Sequence, residues 1–243
     1  MLTTRDIEPV AVSERKALLK YTGLRDHELV NVRLERESFP QIDLAHWDGI
    51  ILCGSSYDVS EDEDTKSLKQ KHIEHNLGRL SEEVIKRDFP FFGICYGLGI
   101  MARMLGGKVG PEISEDMSAP TLTLTPEGSQ DPILQGIPAQ FRAYVGHHES
   151  VVVPPSEMTA LVTGEIAPLQ MARIGHNIYL TQFHPELDYE GMQVRVESFA
   201  DHGYFQPHER ADVEKRIAGV DTSPGHQILR NFVNRFGDSR GVA

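Results

Sequence analysis

Cys95 lies between glycines in Gly93-Ile94-Cys95-Tyr96-Gly97, where an apolar run ends and a helix-like pattern begins. A nucleophile on a sharp strand-to-helix turn needs small neighbours, because the chain doubles back on itself there. The first amides of the following helix would point at the sulfur and lower the pKa of the thiol. The segment therefore predicts a cysteine nucleophile, with an inert buried cysteine in a tight turn as the alternative.

The second candidate group is the sequence His184-Pro185-Glu186, which follows a strand pattern ending at Phe183. A cysteine nucleophile needs a base, and the base needs a group that orients it. Proline stiffens the connection, so the Glu186 carboxylate can face back to the imidazole and hold one tautomer. We predict His184 as the base for Cys95 and Glu186 as its orienting acid. Taken alone, His184 also fits an ordinary hydrogen-bonded loop histidine.

The composition excludes several function classes. The chain has 243 residues, of which 40% are hydrophobic, as expected for a soluble α/β protein. Its net charge of −12, without a basic patch, argues against nucleic-acid binding. Two cysteines provide no disulfide framework, and we expect no metal and no cofactor. The absence of a signal segment or a membrane-length apolar run predicts a cytoplasmic protein without membrane contact.

The elements that must position these residues begin as alternating strands and helices. A helix is predicted over 13–24, capped by Ser13 and ended by Gly23, and a long helix is predicted to start after Ser60. Buried strands are predicted over 48–54 and 89–95, and the second leads into a helix over 96–107. The remaining predicted elements are a strand at 28–35, short strands at 121–125, 141–147, 149–154, 158–163, 169–174 and 177–183, with a hairpin turn at 175–177, and helices at 189–204 and 225–236.

This order predicts a doubly wound, mostly parallel central sheet flanked by helices, with additional antiparallel strands. Ligands bind such sheets beyond the carboxyl ends of the strands, where Gly54 and Cys95 both fall. We predict one domain over 1–243, with a core over about 28–190 and a helical extension over about 190–243. The extension either covers the site, forms an oligomer contact or, as we favour, buries apolar surface of the fold.

The motifs "GICYG" and "QFHPE" resemble those of the class I, triad-type (Cys-His-Glu) glutamine amidotransferase family. The resemblance runs from about residue 30 to about residue 190 and is closest to the guanylate-synthetase-like branch. It implies a flavodoxin-like class I amidotransferase fold. It also implies catalysis by Cys95, His184 and Glu186.

The resemblance also implies the remaining site residues. The backbone N–H groups of Ser55 and Tyr96 would form the oxyanion hole. The residues implied to contact substrate are Gly54, Ser56, Gly99, His147 and Glu149. We add Tyr57, just beyond Gly54, which either lines the substrate entrance or belongs to a loop that holds its own hydrogen bonds. This sequence departs from the family at two places, because Gly99 stands where many members have glutamine and Gly-Ser-Ser replaces Gly-Gly-Pro in the oxyanion loop.

The reaction implied is hydrolysis of the side-chain amide of glutamine or a γ-glutamyl compound through a thioester on Cys95. The partner implied is that small-molecule substrate. Either a separate synthase subunit accepts the ammonia, or the protein is a stand-alone hydrolase of γ-glutamyl amides or peptides. A homo-oligomer is the alternative that the C-terminal extension leaves open. An alternative is a catalytically weak binding or regulatory subunit that partners a synthase or senses a glutamine-like ligand. Other cysteine-elbow hydrolases and chaperones share the turn but lack the His184-Pro185-Glu186 segment, which argues against them.

Overall fold

The computed structural model describes residues 1–36, 38–199 and 209–237. Within them, the helices are α1 (Glu8–Thr22), α2 (Leu68–Arg87), α3 (Tyr96–Met104), α4 (Tyr189–Phe199), α5 (Arg210–Ile217) and α6 (Ser223–Phe236). The strands are β1 (Leu2–Thr4), β2 (Val32–Arg33), β3 (Ile50–Ser55), β4 (Phe91–Ile94), β5 (Lys108–Gly110), β6 (Glu115–Ser118), β7 (Thr121–Leu124), β8 (Gln140–Arg142), β9 (Val145–His147), β10 (Ser150–Val153), β11 (Met158–Thr163), β12 (Met171–Ile174) and β13 (Ile178–Thr181).

The central sheet has the order β2-β1-β3-β4-β13-β12-β11-β7-β8. The strands β2, β1, β3, β4 and β13 pair in parallel, and the remaining pairs of this sheet are antiparallel. Two small antiparallel pairs, β10 with β5 and β6 with β9, stand beside it. The predicted α/β fold is confirmed, and β3, β4 and β13 bring their carboxyl ends to one edge.

Helices cover both faces of the parallel half, as the apolar strands require. Along β3, Ile50 and Leu52 pack into a cluster that contains residues of α2 and α3. Ile51 and Cys53 point to the other face, into a cluster that contains residues of α1 and α6. Each such side chain stabilises the fold by roughly 1.5–3 kcal/mol when it is fully buried. This double burial explains why the strand has no polar face.

The C-terminal helices are part of this packing. In α6, Phe232 meets Phe92 of β4 edge to face, with ring centroids 5.3 Å apart. In α4, Met192 and Val196 join a third apolar cluster around Tyr144. The extension therefore buries apolar surface, as the sequence favoured. A helix was predicted over 189–204, and α4 is described over Tyr189–Phe199. The predicted residues 200–204 lie outside the described part of the chain.

Two predicted helix starts are wrong. The first helix begins at Glu8 with Pro9 in its first turn, so Ser13 lies inside it. Proline at that place is preorganised for a helix start, which a cap residue further along cannot override. The second helix begins at Leu68, where the Ser67 side chain accepts a hydrogen bond from the Gln70 amide at 3.1 Å. The predicted stop of the first helix at Gly23 is confirmed, with φ of 79°.

Some strands also differ from the prediction. The sheet starts at β1, before the expected core range of 28–190, and β1 lies between β2 and β3. The strand expected at 28–35 pairs only over two residues of β2, and the strand expected at 141–147 divides into β8 and β9. Such short edge pairings are decided by neighbouring strands rather than by local propensity. No helix among the described residues has both the length and the apolar character needed to cross a membrane.

The turn after β4 provides a test of the packing. A Cβ atom added at Gly93 would stand 2.8 Å from Leu180 Cδ2 and 3.1 Å from the carbonyl carbon of Gly97, whereas one at Gly97 would meet nothing closer than 3.5 Å. We expect Gly93→Ala to lower the free energy of unfolding by about 1–3 kcal/mol, because the added methyl overpacks this contact. Urea unfolding measures the change.

Gly97→Ala is the matched control, since it adds the same methyl group inside α3, where alanine favours the helix by about 1 kcal/mol. Its stability should equal or exceed that of the wild type. Equal stability of the Gly93→Ala and wild-type proteins would contradict the close packing of this turn.

Candidate active site

Cys95 occupies the sharp turn that joins β4 to α3. Its φ of 51° lies in the left-handed region, which non-glycine residues rarely adopt. The turn is held by a hydrogen bond of 2.6 Å from the Cys95 amide to the Thr181 carbonyl of β13. The helix begins at the next residue, Tyr96. The predicted strand-to-helix elbow is thus present, with the sulfur at the carboxyl edge of the sheet.

His184 and Glu186 lie just beyond the end of β13 and form a buried pair. The His184 amide donates to the Tyr144 carbonyl at 2.8 Å, which fixes the backbone of this segment. The imidazole Nδ1 lies 2.8 Å from Glu186 Oε1, and both side chains are almost fully buried. With Nδ1–H donating to the carboxylate, Nε2 is the unprotonated ring nitrogen. Cys95 and His184 line the same small cavity.

A buried arginine extends this pair. Arg195 of α4 donates from Nη2 to Glu186 Oε1 at 2.9 Å and to Glu14 Oε1 of α1 at 3.2 Å. Its Nη1 lies 3.2 Å from the His184 ring nitrogens. Arg5 donates from Nε to the same Glu14 oxygen at 3.3 Å. Two carboxylates and two guanidinium groups thus balance one another around the imidazole, as charges out of water must.

Burial also determines the protonation states of the pair. Desolvation raises the pKa of the Cys95 thiol to about 12, although the residue is only partly buried and Arg5 and Arg195 oppose the shift. Desolvation, followed by repulsion from Arg195, lowers the pKa of His184 to about 4. Burial alone would raise the pKa of Glu186, but His184 and Arg195 lower it to about 2. The site therefore rests as a neutral thiol, a neutral imidazole and a carboxylate.

This state corrects the expectation that the α3 amides lower the pKa of Cys95. Removing a thiolate from water is the largest effect on this pKa, and it outweighs the lowering by Arg5 and Arg195. A neutral thiol becomes a strong nucleophile only when a base takes its proton. The neutral imidazole of His184, which lines the same cavity, is a group that can accept a proton.

A second cavity is also lined by Cys95, and it shares Ser55 and Gly146 with the first. Besides Cys95, six of the predicted site residues line it: Ser55, Tyr57, Tyr96, Gly99, His147 and Glu149. Gly54 lies elsewhere, since a Cβ atom there would stand 2.6 Å from Arg5 Nη2 and 3.0 Å from His184 Cε1. Gly54 therefore makes room for the side chains of Arg5 and His184 rather than lining this cavity. Ser56 is not among the residues that line either cavity.

Hydrogen bonds hold the walls of this cavity in place. The Glu149 carboxylate accepts from the amides of Val59 and Ser60, both at 2.7 Å. The ring nitrogens of His147 lie 2.9 Å from Glu115 Oε2 and 2.9 Å from the Glu149 carbonyl oxygen. Both groups are therefore engaged with the protein, and their positions shape the cavity wall.

Gly99 stands where many family members have glutamine, and its surroundings explain the replacement. A Cβ atom at Gly99 would lie 3.2 Å from Val59 Cγ2 and 3.6 Å from Glu149 Oε1. Because Glu149 holds Val59 in place, that neighbour cannot move away easily. Any side chain at this position would therefore have to push Val59 back by a few tenths of an ångström.

The sequence analysis did not identify two sets of residues in the site, namely Gln182 and the buried charged residues around His184. Gln182 donates from Nε2 toward Cys95 Sγ at 3.6 Å and accepts from the Ser150 hydroxyl at 2.9 Å. It belongs to "QFHPE", so the motif itself contained the signal. Arg5, Glu14 and Arg195 carry no motif, and their roles follow only from contacts across the fold. No group of three or more His, Cys, Asp and Glu residues in the described ranges could hold a metal ion.

The family model "Glutamine amidotransferase class-I" matches residues 12–201 of this sequence. The chain belongs to the class I glutamine amidotransferase family. Its predicted enzyme class, an amidotransferase-type hydrolase of C–N amide bonds, is confirmed by this membership. The match includes Cys95, His184 and Glu186 together with Glu14 and Arg195.

Individual relatives agree with this family. The chain is 33% identical over 171 residues to a glutamine-hydrolysing GMP synthase subunit of Methanothrix thermoacetophila, covering 70% of this chain and 82% of the relative. It is 27% identical over 208 residues to γ-glutamyl peptidase 3 of Arabidopsis thaliana, covering 79% and 76%. A match to the longer GMP synthase of Aliivibrio fischeri spans only 27% of that protein. A glutamine amidotransferase structure from Thermotoga maritima has the same fold, with a TM-score of 0.76, 17% identity and coverage of 97% and 96%.

The pKa of Cys95 predicts how its thiol reacts in the free protein. With a pKa of about 12, the thiolate fraction and hence the rate of alkylation by iodoacetamide should rise about tenfold per pH unit between pH 7 and pH 10. Mass spectrometry of the labelled Cys95 peptide measures this rate. A rate that levels off near pH 8 would show that the helix amides dominate after all.

Cys95→Ala is the control for this measurement. Cys53, the other cysteine, is fully buried in β3, and burial raises the pKa of its thiol. The variant should therefore show no comparable labelling while the protein stays folded.

Proposed function

We propose that this chain is a thiol amidohydrolase that cleaves the side-chain amide of glutamine or a γ-glutamyl compound through a thioester on Cys95. The observation that supports it most is that Cys95 and His184 line one cavity, with the imidazole held by Glu186 at 2.8 Å. In this proposal Cys95 is the nucleophile and His184 acts first as a base and then as an acid. Glu186 fixes the tautomer of His184 and stabilises its charged form.

The first half-reaction forms the thioester. His184 takes the thiol proton while the Cys95 sulfur attacks the amide carbon, and the carbonyl oxygen becomes an oxyanion. The backbone N–H groups of Ser55 and Tyr96 are the donors we assign to that oxyanion. When the intermediate collapses, the C–N bond breaks and His184 gives its proton to the leaving nitrogen, which departs as ammonia or an amine.

Water completes the turnover. His184 takes a proton from the water molecule that attacks the thioester carbon. The C–S bond then breaks, His184 returns the proton to the sulfur, and glutamate leaves. Glu186 has a pKa of about 2, so it stays ionised and stabilises the imidazolium in both half-reactions.

We assign the glutamyl part of the substrate to the cavity lined by Tyr57, Tyr96 and Gly99. Tyr96 adjoins the nucleophile, so an acyl group bound there has its carbonyl close to the proposed oxyanion donors. Asp58 and the His148 imidazole, 3.9 Å apart, also line this cavity. The Asp58 carboxylate can pair with the amino group of a glutamyl substrate. The His148 imidazole, whose pKa Asp58 raises, can donate an N–H to its carboxylate.

The relatives suggest two uses for the reaction. The M. thermoacetophila relative is named as one subunit of a GMP synthase, and the A. thaliana relative as a γ-glutamyl peptidase. On the first pattern, a separate synthase subunit would accept the ammonia released here. On the second pattern, cleavage of the γ-glutamyl amide is the complete reaction. Both uses need the same attack by Cys95.

Glutamate release tests the nucleophile directly. Wild-type protein is incubated with glutamine and with γ-glutamyl amides, and glutamate is quantified. Cys95→Ala should lower the rate by at least about 10³-fold, because no other group can form the thioester. Cys53→Ala, which removes the buried thiol of β3, is the matched control and should keep the wild-type rate.

One outcome would contradict the proposal outright. It is the absence of glutamate from every substrate, together with a Cys95 that is inert toward a glutamine-analogue alkylator. Binding of glutamine without turnover would then identify a regulatory or binding subunit. A higher melting temperature in the presence of glutamine would reveal such binding.

Glu186→Gln tests the orienting role. A neutral amide can hold the wrong His184 tautomer and cannot stabilise the imidazolium, so we expect kcat to fall by roughly 10²–10⁴-fold. Steady-state kinetics with glutamine measure the loss. Glu190→Gln makes the same chemical change on the exposed face of α4 and serves as the control. An unchanged kcat in Glu186→Gln would exclude a catalytic role for this carboxylate.

A further inference from the structure

Gln182 is a buried amide that contacts the proposed nucleophile. The residue is 3% exposed, and its Nε2 donates toward Cys95 Sγ at 3.6 Å. Both residues line the cavity assigned to the glutamyl group. A buried polar group is held by its hydrogen-bond partners, so the partners of the two ends of this amide indicate what it does.

We propose that Gln182 is the hydrogen-bond donor that stabilises the negative charge on the Cys95 sulfur when the thiol loses its proton. The inference deepens the proposed function and rests on it for the use of that thiolate in catalysis. The charge itself is a property of the free protein, so the donor can be tested without a substrate.

Ser150 determines which end of the amide faces the sulfur. Its hydroxyl donates to Gln182 Oε1 at 2.9 Å, and Ser150 is itself only 2% exposed. An amide oxygen only accepts and an amide NH₂ group only donates, so the hydrogen-bond network decides which of them lies on which side. With its oxygen held by Ser150, the amide turns its NH₂ group to Sγ. The reverse orientation would set the carbonyl oxygen against the sulfur and repel a thiolate.

The backbone around Gln182 is fixed on both sides of the side chain. Its amide donates to the Gln170 carbonyl at 2.8 Å, and the amide of His184 donates to the Tyr144 carbonyl at 2.8 Å. Phe183, between them, is fully buried in the cluster that contains residues of α1 and α6. Anchoring of Phe183 in the core leaves Gln182 and His184 directed to the carboxyl edge of the sheet, where Cys95 lies. The same short segment therefore supplies both the base and a donor to the sulfur.

The buried sulfur has need of such a donor. Desolvation raises the pKa of Cys95 to about 12, and Glu149 and Glu186 raise it further, against the guanidinium groups of Arg5 and Arg195. A hydrogen bond to a charged acceptor is roughly twice as strong as one to a neutral acceptor. The bond from Gln182 therefore strengthens as the proton leaves the sulfur, and it stabilises the thiolate more than the thiol.

An uncharged donor also suits the surroundings of the thiol. The amide of glutamine has no proton to lose over the pH range in which proteins stay folded. It adds no charge to the balanced set of buried carboxylates and guanidinium groups around His184, where an extra cation would need its own partner. Gln182 can therefore act on the sulfur without changing the state of the imidazole.

Alkylation of Cys95 tests the donor. Gln182→Met keeps an unbranched side chain of similar length and removes the N–H group. Rates of labelling by iodoacetamide at pH 9 are measured by mass spectrometry of the Cys95 peptide. Loss of a hydrogen bond to a charged group lowers the thiolate fraction by about 10-fold. The greater nucleophilicity of the more basic thiolate offsets part of this loss, so the rate should fall by about 3–4-fold.

Two controls separate acidity from other effects. Gln193→Met makes the same change on the exposed face of α4 and should keep the wild-type rate. N-ethylmaleimide, a larger reagent, should lose the same factor as iodoacetamide in Gln182→Met, because both react with the thiolate. A folded Gln182→Met protein with the wild-type rate would overturn the proposal, and so would a loss seen with one reagent only, which indicates altered access to the sulfur.

Ser150→Ala tests the orientation of the amide and does not remove Gln182. Without the hydroxyl, the amide can turn its oxygen to the sulfur, so the alkylation rate should fall by about 2-fold or more. Gln182→Met combined with Ser150→Ala should be no slower than Gln182→Met alone, because Ser150 acts through the amide. Losses that multiply in the double variant would contradict this. Ser156→Ala, on an exposed loop, is the control.

These measurements remain decisive in two further cases. If Gln182→Met does not fold, Ser150→Ala carries the test alone, and an unchanged alkylation rate in that variant refutes the donor. Unchanged rates in a protein that releases glutamate would refute the role of Gln182 and leave the proposed function intact. The expected losses in a protein that releases no glutamate would support the donor while the proposed function fails.

Discussion

Burial of charge is the constraint on which this site depends. Glu186 and Glu14 are fully buried, and each must be compensated by a positive group that is also out of water. Arg195 provides that compensation for both carboxylates at once, at 2.9 and 3.2 Å. Because removal of one partner from such a network destabilises a fold by about 3–5 kcal/mol, α1, α4 and the end of β13 are held in one arrangement. The imidazole of His184 contacts Glu186 and Arg195 of this network.

The same lack of water explains the chemistry available to the site. A thiol with a pKa of about 12 and an imidazole with a pKa of about 4 do not form an ion pair at rest. In the proposed mechanism the pair becomes charged only as the thiol attacks, when the carboxylate of Glu186 stabilises the imidazolium. Burial thus keeps the thiol and the imidazole uncharged in the free protein.

The architecture of the sheet concentrates these groups. Parallel strands β3, β4 and β13 end at one edge, so Ser55, Cys95 and His184 meet there although they are far apart in sequence. Strands with long apolar runs were predictable, because burial on both faces leaves a local pattern. The pairing of β1, the division at 141–147 and the start of α2 at Leu68 were not, because neighbouring strands and side-chain contacts decide them.

The sequence by itself determined the elbow at Cys95, the His184-Pro185-Glu186 segment, the α/β class and the family, since each is a local pattern or a motif. Only the tertiary structure decided that Arg195 completes the charge balance, that the thiol rests protonated and that two cavities meet at the sulfur. Desolvation and cavity shape are sums over atoms from distant segments, and no stretch of residues encodes them locally. The helix α4, far beyond the nucleophile in the chain, thereby lines the cavity that Cys95 and His184 share.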